Sequence, residues 1–247
     1  MKTIGIIPAR FQSSRFPGKP LVDLAGKSMI RRVYERAAEA PGLDELVVAT
    51  DDKRIASHVE AFGGRVVMTG ADLASGTDRC AAVVRSWNGR FPYDRVVNIQ
   101  GDEPLLAPAQ IGQLLALFSD EDCQIATLAR RLEPPADPAN PNLVKVVTDR
   151  RGRALYFSRA PIPYPRAPVD KASYLHHVGL YAFRTEALLS ASALPLGELE
   201  QTESLEQLRW LENGFSIYVG LTEYPNWGVD SPEDVGWVLK KLRDELL

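Results

Sequence analysis

Cysteine is scarce in this chain: Cys80 and Cys123 are the only two in 247 residues, and they lie far apart at no metal-ligand spacing. That excludes a disulfide framework and a zinc site, and leaves both as small buried side chains in a reducing compartment. Long apolar runs are also lacking. The opening Met1-Lys2-Thr3-Ile4-Gly5-Ile6-Ile7-Pro8 is too short for a secretion signal, and no stretch approaches the roughly 20 apolar residues of a spanning helix. A soluble, cytoplasmic protein with no membrane partner is therefore expected. There is no excess of positive charge either, the formal net charge being -3. Without a general basic field, nucleic acid is not an expected partner, and any affinity for anions must come from local clusters.

What the chain does have is an alternation of β-branched runs and helical patterns through its first half, the signature of βαβ units around a parallel sheet. Thr3 to Ile7 reads as a first strand. Met29, Ile30, Val33, Tyr34 and Ala37 recur at helical spacing, and Glu45 to Thr50 is a second strand, after which Asp51 or Asp52 caps a helix carrying Ile55, Val59 and Phe62. That helix stops at Gly63-Gly64, and Arg65 to Met68 makes a short third strand. Ser75 to Asn88 reads as helical in its later part, with Val83, Val84 and Trp87 turned inward. Arg95 to Ile99 is a buried strand that runs into Gln100-Gly101-Asp102-Glu103-Pro104.

The second half changes character. Val144 to Val147 and Ala154 to Ser158 form a hairpin around Asp149-Arg150-Arg151-Gly152, and His176 to Phe183 adds a strand. The proline-rich Ala160 to Tyr174 between them reads as an ordered loop. Helices are expected near Thr185 to Ser192, over Thr202 to Glu212 and over Pro232 to Glu245, with a strand at Ser216 to Leu221 before the last.

Polar clusters follow two of the buried strands. Arg10, Arg15 and Lys19 stand with Ser13, Ser14 and Gly18 directly after the first, where cations and backbone N–H groups suit a triphosphate. This is neither a P-loop, since the Gly-Lys-Ser/Thr ending is absent, nor a Gly-x-Gly-x-x-Gly turn. Asp102 ends a strand and Asp230 sits in a turn before a helix; two such carboxylates suit Mg²⁺, which completes its shell with phosphate and water. Asp230 alone also reads as a helix cap. Ser75-Gly76-Thr77-Asp78-Arg79 is an ordinary helix start that could also read a base or ribose. The pair His176-His177 and the Ser158-Arg159 turn carry donors suited to a sugar carboxylate, although a lone histidine in a strand is usually structural. Ligands of open α/β sheets bind outside the carboxyl ends of the strands, which favours a site built from the first loop and the Asp102 turn.

Read together, these motifs resemble the 3-deoxy-manno-octulosonate (KDO) cytidylyltransferases, the CMP-KDO synthetases of Gram-negative bacteria, over Ile6 to about Asp234. The matching stretches are Ile7-Pro8-Ala9-Arg10 through Phe16-Pro17-Gly18-Lys19-Pro20-Leu21, Val48-Ala49-Thr50-Asp51, Ser75 to Arg79, Asn98 to Pro104 and Ala154 to Ala160. Leu205-Glu206-Gln207-Leu208-Arg209 and Val229 to Asp234 add two more. The resemblance implies a three-layer α/β fold of the nucleotide-diphospho-sugar transferase type, Rossmann-like, with a mainly parallel central sheet and a smaller β-rich dimerisation subregion. It implies one domain over 1–247, with a nucleotide-binding half at 1–125, a sugar-binding and dimerisation region at 126–185, and a C-terminal part at 186–247 that returns to the metal site.

The same resemblance implies transfer of CMP from CTP to KDO, an acidic eight-carbon sugar, with Mg²⁺ and a homodimer, for lipopolysaccharide synthesis. Carried over by position, Arg10, Lys19, Asp102 and Asp230 are catalytic, with Asp102 and Asp230 on the metal. Pro8, Ala9, Arg10, Arg15, Lys19, Ser75, Gly76, Arg79 and Gln100 bind the nucleotide. Gln100, Arg159, His177, Tyr181, Glu206 and Gln207 bind the sugar. Asp78 stands where many relatives carry Glu, and Ile162 to His176 is compact, as in relatives acting on an 8-amino analogue of the sugar. The alternatives are therefore a cytidylyltransferase for that analogue, for another acid sugar or for a sugar-alcohol phosphate. From other classes come a glycosyltransferase of similar fold, which typically shows Asp-x-Asp where this chain has Asp102-Glu103-Pro104, and a non-catalytic sugar-nucleotide sensor.

Overall fold

The computed structural model describes residues 1–13, 15–87, 89–166 and 173–244. The chain divides into two compact units, one made of 1–112 with 226–247 and the other of 113–225.

In the first unit, β1 (Thr3–Ala9) is buried along almost its whole length, because Ile4, Ile6 and Ile7 alternate around Gly5 and none is exposed. Burial of each such side chain contributes about 1.5–3 kcal/mol. α1 (Met29–Ala38) turns Met29, Ile30, Val33 and Ala37 inward, and Ser28 caps it by accepting from Arg31 N–H. β2 (Glu45–Thr50) follows, then α2 (Lys53–Ala61), capped by Asp52, and β3 (Val66–Met68). α3 (Gly76–Arg85) and β4 (Arg95–Asn98) complete the run. β1 pairs in parallel with both β2 and β4, and β2 with β3, giving the order β3-β2-β1-β4. β1 thus lies at the point where the strand order reverses, and the crevice at its carboxyl end is where open α/β sheets bind ligands.

The chain leaves this sheet through α4 (Pro108–Ala116). In the second unit, β5 (Ile125–Arg131) precedes β6 (Lys145–Thr148) and β7 (Ala154–Ser158), an antiparallel pair, and β8 (Leu175–Arg184) runs antiparallel to β5 and β6. α5 (Thr185–Ala191), α6 (Glu198–Glu203) and α7 (Glu206–Glu212) lead to β9 (Ile217–Leu221), parallel to β5. The chain then rejoins the first unit through α8 (Pro232–Asp244). The α/β class, with a mainly parallel sheet and a β-rich second half, is borne out.

Three local expectations are corrected. Ser75 to Asn88 is not helical only in its later part: α3 begins at Gly76, because Ser75 and Asp78 form a reciprocal capping box that holds the first turn. Trp87 lies beyond its end, half-buried, packed edge-on against Phe91 and Tyr93. Thr202 to Glu212 is not one helix, since Ser204 takes a left-handed conformation with φ of 52° and separates α6 from α7. α4 and β5 were not expected at all. α4 starts without a short polar cap, Ala107 N–H donating instead to the Gln110 side chain, and β5 is rich in Ala and Arg, which are poor strand signals. Ser14, Asn88, Glu245 and part of the Ala160 to Tyr174 loop lie outside the described residues.

Candidate functional site

At the carboxyl end of β1 the chain turns through residues 10–20 and closes on itself. Gly18 N–H donates to Phe11 O (2.9 Å) and Lys19 N–H to Phe16 O (3.2 Å). Gly18 needs its positive φ of 74°, and the Phe11 ring lies 3.1 Å from where a Cβ would stand. The Arg54 guanidinium stacks 3.3 Å above that ring, so the start of α2 braces the loop from outside.

The second wall comes from the turn after β4. A Cβ on Gly101 would meet Pro8 O at 2.6 Å, so only glycine lets this turn close against β1. The third element is the turn before α8. That helix docks through Val238 and Leu242 onto Leu24, Met29, Leu105 and Val229, and Val229 N–H donates to Asp102 O (2.9 Å). The apolar contact thus carries Asp230 to Asp102.

The charged groups meet at Lys19. Its ammonium donates to Asp102 Oδ2 and Val229 O, each at 2.7 Å, and lies 3.8 Å from Asp230 Oδ1. Arg15 donates to Asp230 Oδ1 at 3.1 Å. That outer pair is largely exposed and contributes under about 1 kcal/mol, whereas Lys19 is mostly covered. Arg10 is exposed and makes no hydrogen bond or ion pair with the described residues. Together these groups line a cavity of about 290 Å³ with Pro8, Ala9, Ser13, Pro20, Leu73, Ala74, Ser75, Gly76, Arg79, Gln100 and Gly101. Every residue expected on the nucleotide side therefore belongs to one pocket. Leu73, Ala74 and Pro20 join it without having been singled out: they contribute chain and apolar surface, which carry no polar signature in a sequence.

Asp230 reads from sequence as either cap or ligand, and the geometry separates the two. Asp234 Oδ2 accepts from Asp230 N–H (2.9 Å), Ser231 N–H (2.8 Å) and the Ser231 hydroxyl (3.0 Å). Asp234 does the capping, and the Asp230 carboxylate is left facing the cations. Two carboxylates converging on one ammonium form a site already shaped for positive charge, and one or two protein carboxylates is the usual complement for Mg²⁺. The donor set fits the metal. Neighbouring Glu103 is a poorer ligand: burial, with the Asp102 charge adding, pushes its carboxyl up to about 7, and Asn226 donates to it at 3.4 Å.

Of the residues expected on the sugar side, Gln100 lies in the first unit, in the nucleotide pocket, and Arg159, His177, Tyr181, Glu206 and Gln207 lie in the second. His177 and Tyr181 are neighbours on β8, with ring centroids 5.3 Å apart, and Phe157 and Trp210 pack edge-on around them. Thr127 Oγ1 lies 3.0 Å from His177 Nε2 and within 3.1 Å of the Val178 and Leu180 carbonyls. Its single hydrogen goes to a carbonyl, so the oxygen faces the ring as an acceptor and His177 carries its proton on Nε2. Burial, with His176 beside it, pushes His177 down to about 3, and burial with Arg130 and Lys145 pushes His176 down to about 4. Both rings are neutral.

Tyr181 Oη and Gln207 Nε2 are buried without a hydrogen-bond partner among the described residues. Burial, reinforced by the Glu206 charge, holds the phenol protonated. Arg159 donates instead to the carbonyls of Glu203 (2.6 Å), Pro141 (2.9 Å) and Ser204 (3.2 Å), while Glu203 accepts from Ser158 Oγ (2.6 Å) and Arg159 N–H (2.9 Å). Arg159 thereby ties β7 to the chain just before Glu206 and Gln207. Glu203 and Thr127 carry no expectation from the sequence; a lone hydroxyl inside the buried run of β5 is the one signal that points to Thr127.

Residues 4–217 match the cytidylyltransferase family model. The chain is 54% identical over 249 residues to the 3-deoxy-manno-octulosonate cytidylyltransferase of Syntrophobacter fumaroxidans, covering 99% of this chain and 98% of that one. It is 49% identical to the protein of the same name from Solibacter usitatus, covering 100% and 96%. A solved structure of CMP:2-keto-3-deoxy-manno-octonic acid synthetase complexed with CTP matches with a TM-score of 0.93 at 44% identity, over 99% of this chain and all of that one. A 4-diphosphocytidyl-2C-methyl-D-erythritol synthase from Anaerococcus prevotii, at 12% identity and a TM-score of 0.63, shares the fold alone.

Proposed function

Because the chain belongs to the 3-deoxy-manno-octulosonate cytidylyltransferase family, we propose that it transfers CMP from CTP to the anomeric hydroxyl of KDO, releasing pyrophosphate. The observation that carries this reading is the meeting of Arg10, Arg15 and Lys19 with Asp102 and Asp230 in one pocket behind β1.

The anomeric hydroxyl oxygen of the sugar attacks the α-phosphorus in line, its bond to phosphorus forming as the bond to pyrophosphate breaks and its proton passing to solvent, and no covalent enzyme intermediate is needed. Arg10, Arg15 and Lys19 bind the triphosphate and neutralise charge on the leaving group. Ser75, Gly76 and Gln100 contact the cytidine at the mouth of α3 and the β4 turn, with Pro8, Ala9 and Arg79 around it. Asp102 and Asp230 would hold Mg²⁺, which would supply charge neutralisation on the phosphates and make the sugar hydroxyl more acidic. Lys19, beside the two carboxylates in the same pocket, would meet phosphate oxygens there.

Gln100, Arg159, His177, Tyr181, Glu206 and Gln207 hold the acid sugar. The unpartnered Tyr181 hydroxyl and Gln207 amide support this, since buried polar groups without partners are costly unless a ligand satisfies them. In the same proposal the whole chain acts as one functional domain, as a cytoplasmic homodimer supplying lipopolysaccharide synthesis. No helix of the described residues is long and apolar enough to cross a membrane, and the buried free thiols of Cys80 and Cys123 suit a reducing compartment.

The test is pyrophosphate release with each of the four nucleoside triphosphates, with and without KDO or its 8-amino analogue. Release only with CTP and KDO is expected. Release with the amino sugar alone would move the acceptor, and CTP-independent release would overturn the reading.

A further inference from the structure

The nucleotide pocket has one wall made of bare chain. Leu73 and Ala74 line it, yet among the described residues the hydrogen bonds of this segment are made only at its ends. Thr69 N–H donates to Thr50 O (2.9 Å) before it, Gly70 O accepts from Arg79 Nη1 (3.2 Å), and Ser75 N–H donates to Asp78 Oδ2 (3.2 Å) after it. The Arg79 guanidinium is 3% exposed. Besides Gly70 O it reaches Thr69 Oγ1 at 2.5 Å and Asp51 Oδ1 at 3.6 Å, an oxygen buried with no hydrogen bond of its own.

A buried guanidinium is costly unless paired. Here the compensation comes from one carboxylate after β2, one hydroxyl after β3 and the first carbonyl of the wall itself. Arg79, carried rigidly on α3, thus gathers two strand ends and the root of the wall. We propose that Asp51, Arg79 and Thr69 form a positioning clamp that holds residues 70–74 in their nucleotide-binding shape and so sets the affinity for CTP rather than the rate of transfer. This rests on the cytidylyltransferase reading above. A wall ordered beforehand leaves the ligand no ordering cost, whereas a loosened wall must be ordered by CTP at the expense of its affinity.

Thr69→Val removes the hydroxyl and keeps the shape; Thr69→Ser keeps the hydroxyl; Asp51→Asn removes the charge. The clamp predicts that Thr69→Val and Asp51→Asn raise KM for CTP about tenfold. In both, kcat should stay within about twofold and KM for KDO should not change, while Thr69→Ser stays at the wild-type KM. Calorimetric titration of CTP should show the same loss in Kd. A lowered melting temperature with an unmoved KM for CTP, or a loss confined to kcat, would overturn the clamp. Failure of the wild-type chain to bind CTP at all would instead refute the reading on which the clamp depends.

Discussion

Asp102 and its neighbour Glu103 are both carboxylates in the same turn, yet their surroundings separate them. Asp102 accepts from an ammonium at 2.7 Å, whereas Glu103 is pushed up to about 7 by burial and is largely neutral at moderately acidic pH. Of the two, only Asp102 accepts from the ammonium. Asp102→Asn keeps the shape of the turn and its backbone bond from Val229, so turnover should fall at least about a hundredfold with little change in melting temperature. Normal turnover of that variant at saturating Mg²⁺ would remove Asp102 from the metal site. The histidines make a second prediction. His176 and His177 fold as neutral rings, pushed down to about 4 and about 3, against an ordinary value of about 6.5 in the unfolded chain. Below pH 6.5 the unfolded state takes up protons that the folded state refuses, so stability is full above that pH and is lost as pH falls towards 4 and then 3. Each ring adds up to about 1.4 kcal/mol per pH unit to that slope, less for half-buried His176. Urea titrations at pH 7, 6 and 5 should give a shallower slope for His177→Asn than for the wild type, and an equal slope would contradict the neutral ring. At this scale the sequence is legible where charge clusters after a strand, as at Arg10, Arg15 and Lys19. It is less so at Asp230, where two roles share one residue type and only the bonds to Asp234 separate them.

Elements are legible where one face is buried and the ends carry a signal. Glu45 to Thr50 is found as read, because a β-branched run bounded by polar turns has no competing pattern. The start of α3 was harder, since Ser75-Gly76-Thr77-Asp78 is also a loop composition. The decisive feature is reciprocal: Ser75 Oγ accepts from Asp78 N–H at 3.0 Å, and Asp78 Oδ2 accepts from Ser75 N–H at 3.2 Å. Asp78, which departs from the residue common among relatives, therefore serves as the N3 member of a capping box, a position Glu also fills. Asp78→Glu should leave stability within about 0.5 kcal/mol, while Asp78→Ala should cost about 1 kcal/mol, both read from denaturant midpoints. A neutral Asp78→Ala would mean that packing, not the box, holds the first turn. The split between α6 and α7 was not legible, because a non-glycine residue in the left-handed region, Ser204, has no distinctive neighbours. The surrounding tie of Arg159 to the Glu203 and Ser204 carbonyls sets it.

Across the molecule, the first unit is built from both chain ends, and α8 brings Asp230 to the β4 turn through an apolar cluster that includes Leu24, Val229 and Val238. Local pattern offers Asp102 and Asp230 as a pair of carboxylates in turns, but not the apolar contact that joins them. Its electrostatic consequence is that Lys19 and Arg15 together offset the charge of the two carboxylates. Removing Mg²⁺ with a chelator should then abolish turnover and leave the melting temperature of the nucleotide-free protein unchanged, since the ammonium keeps the carboxylates from repelling one another. In Lys19→Ala only Arg15 is left to offset the pair: the chelated protein should melt lower, and Mg²⁺ alone should restore it, because a cation held by Asp102 and Asp230 would supply the missing charge. Adding CTP with Mg²⁺ to the wild type should raise the melting temperature by several degrees, as a ligand at a hundred times its Kd stabilises by about 2.7 kcal/mol. Thermal melts of the two proteins under the three conditions decide the matter. If Mg²⁺ fails to stabilise Lys19→Ala above its chelated form, the carboxylate pair is not the metal site.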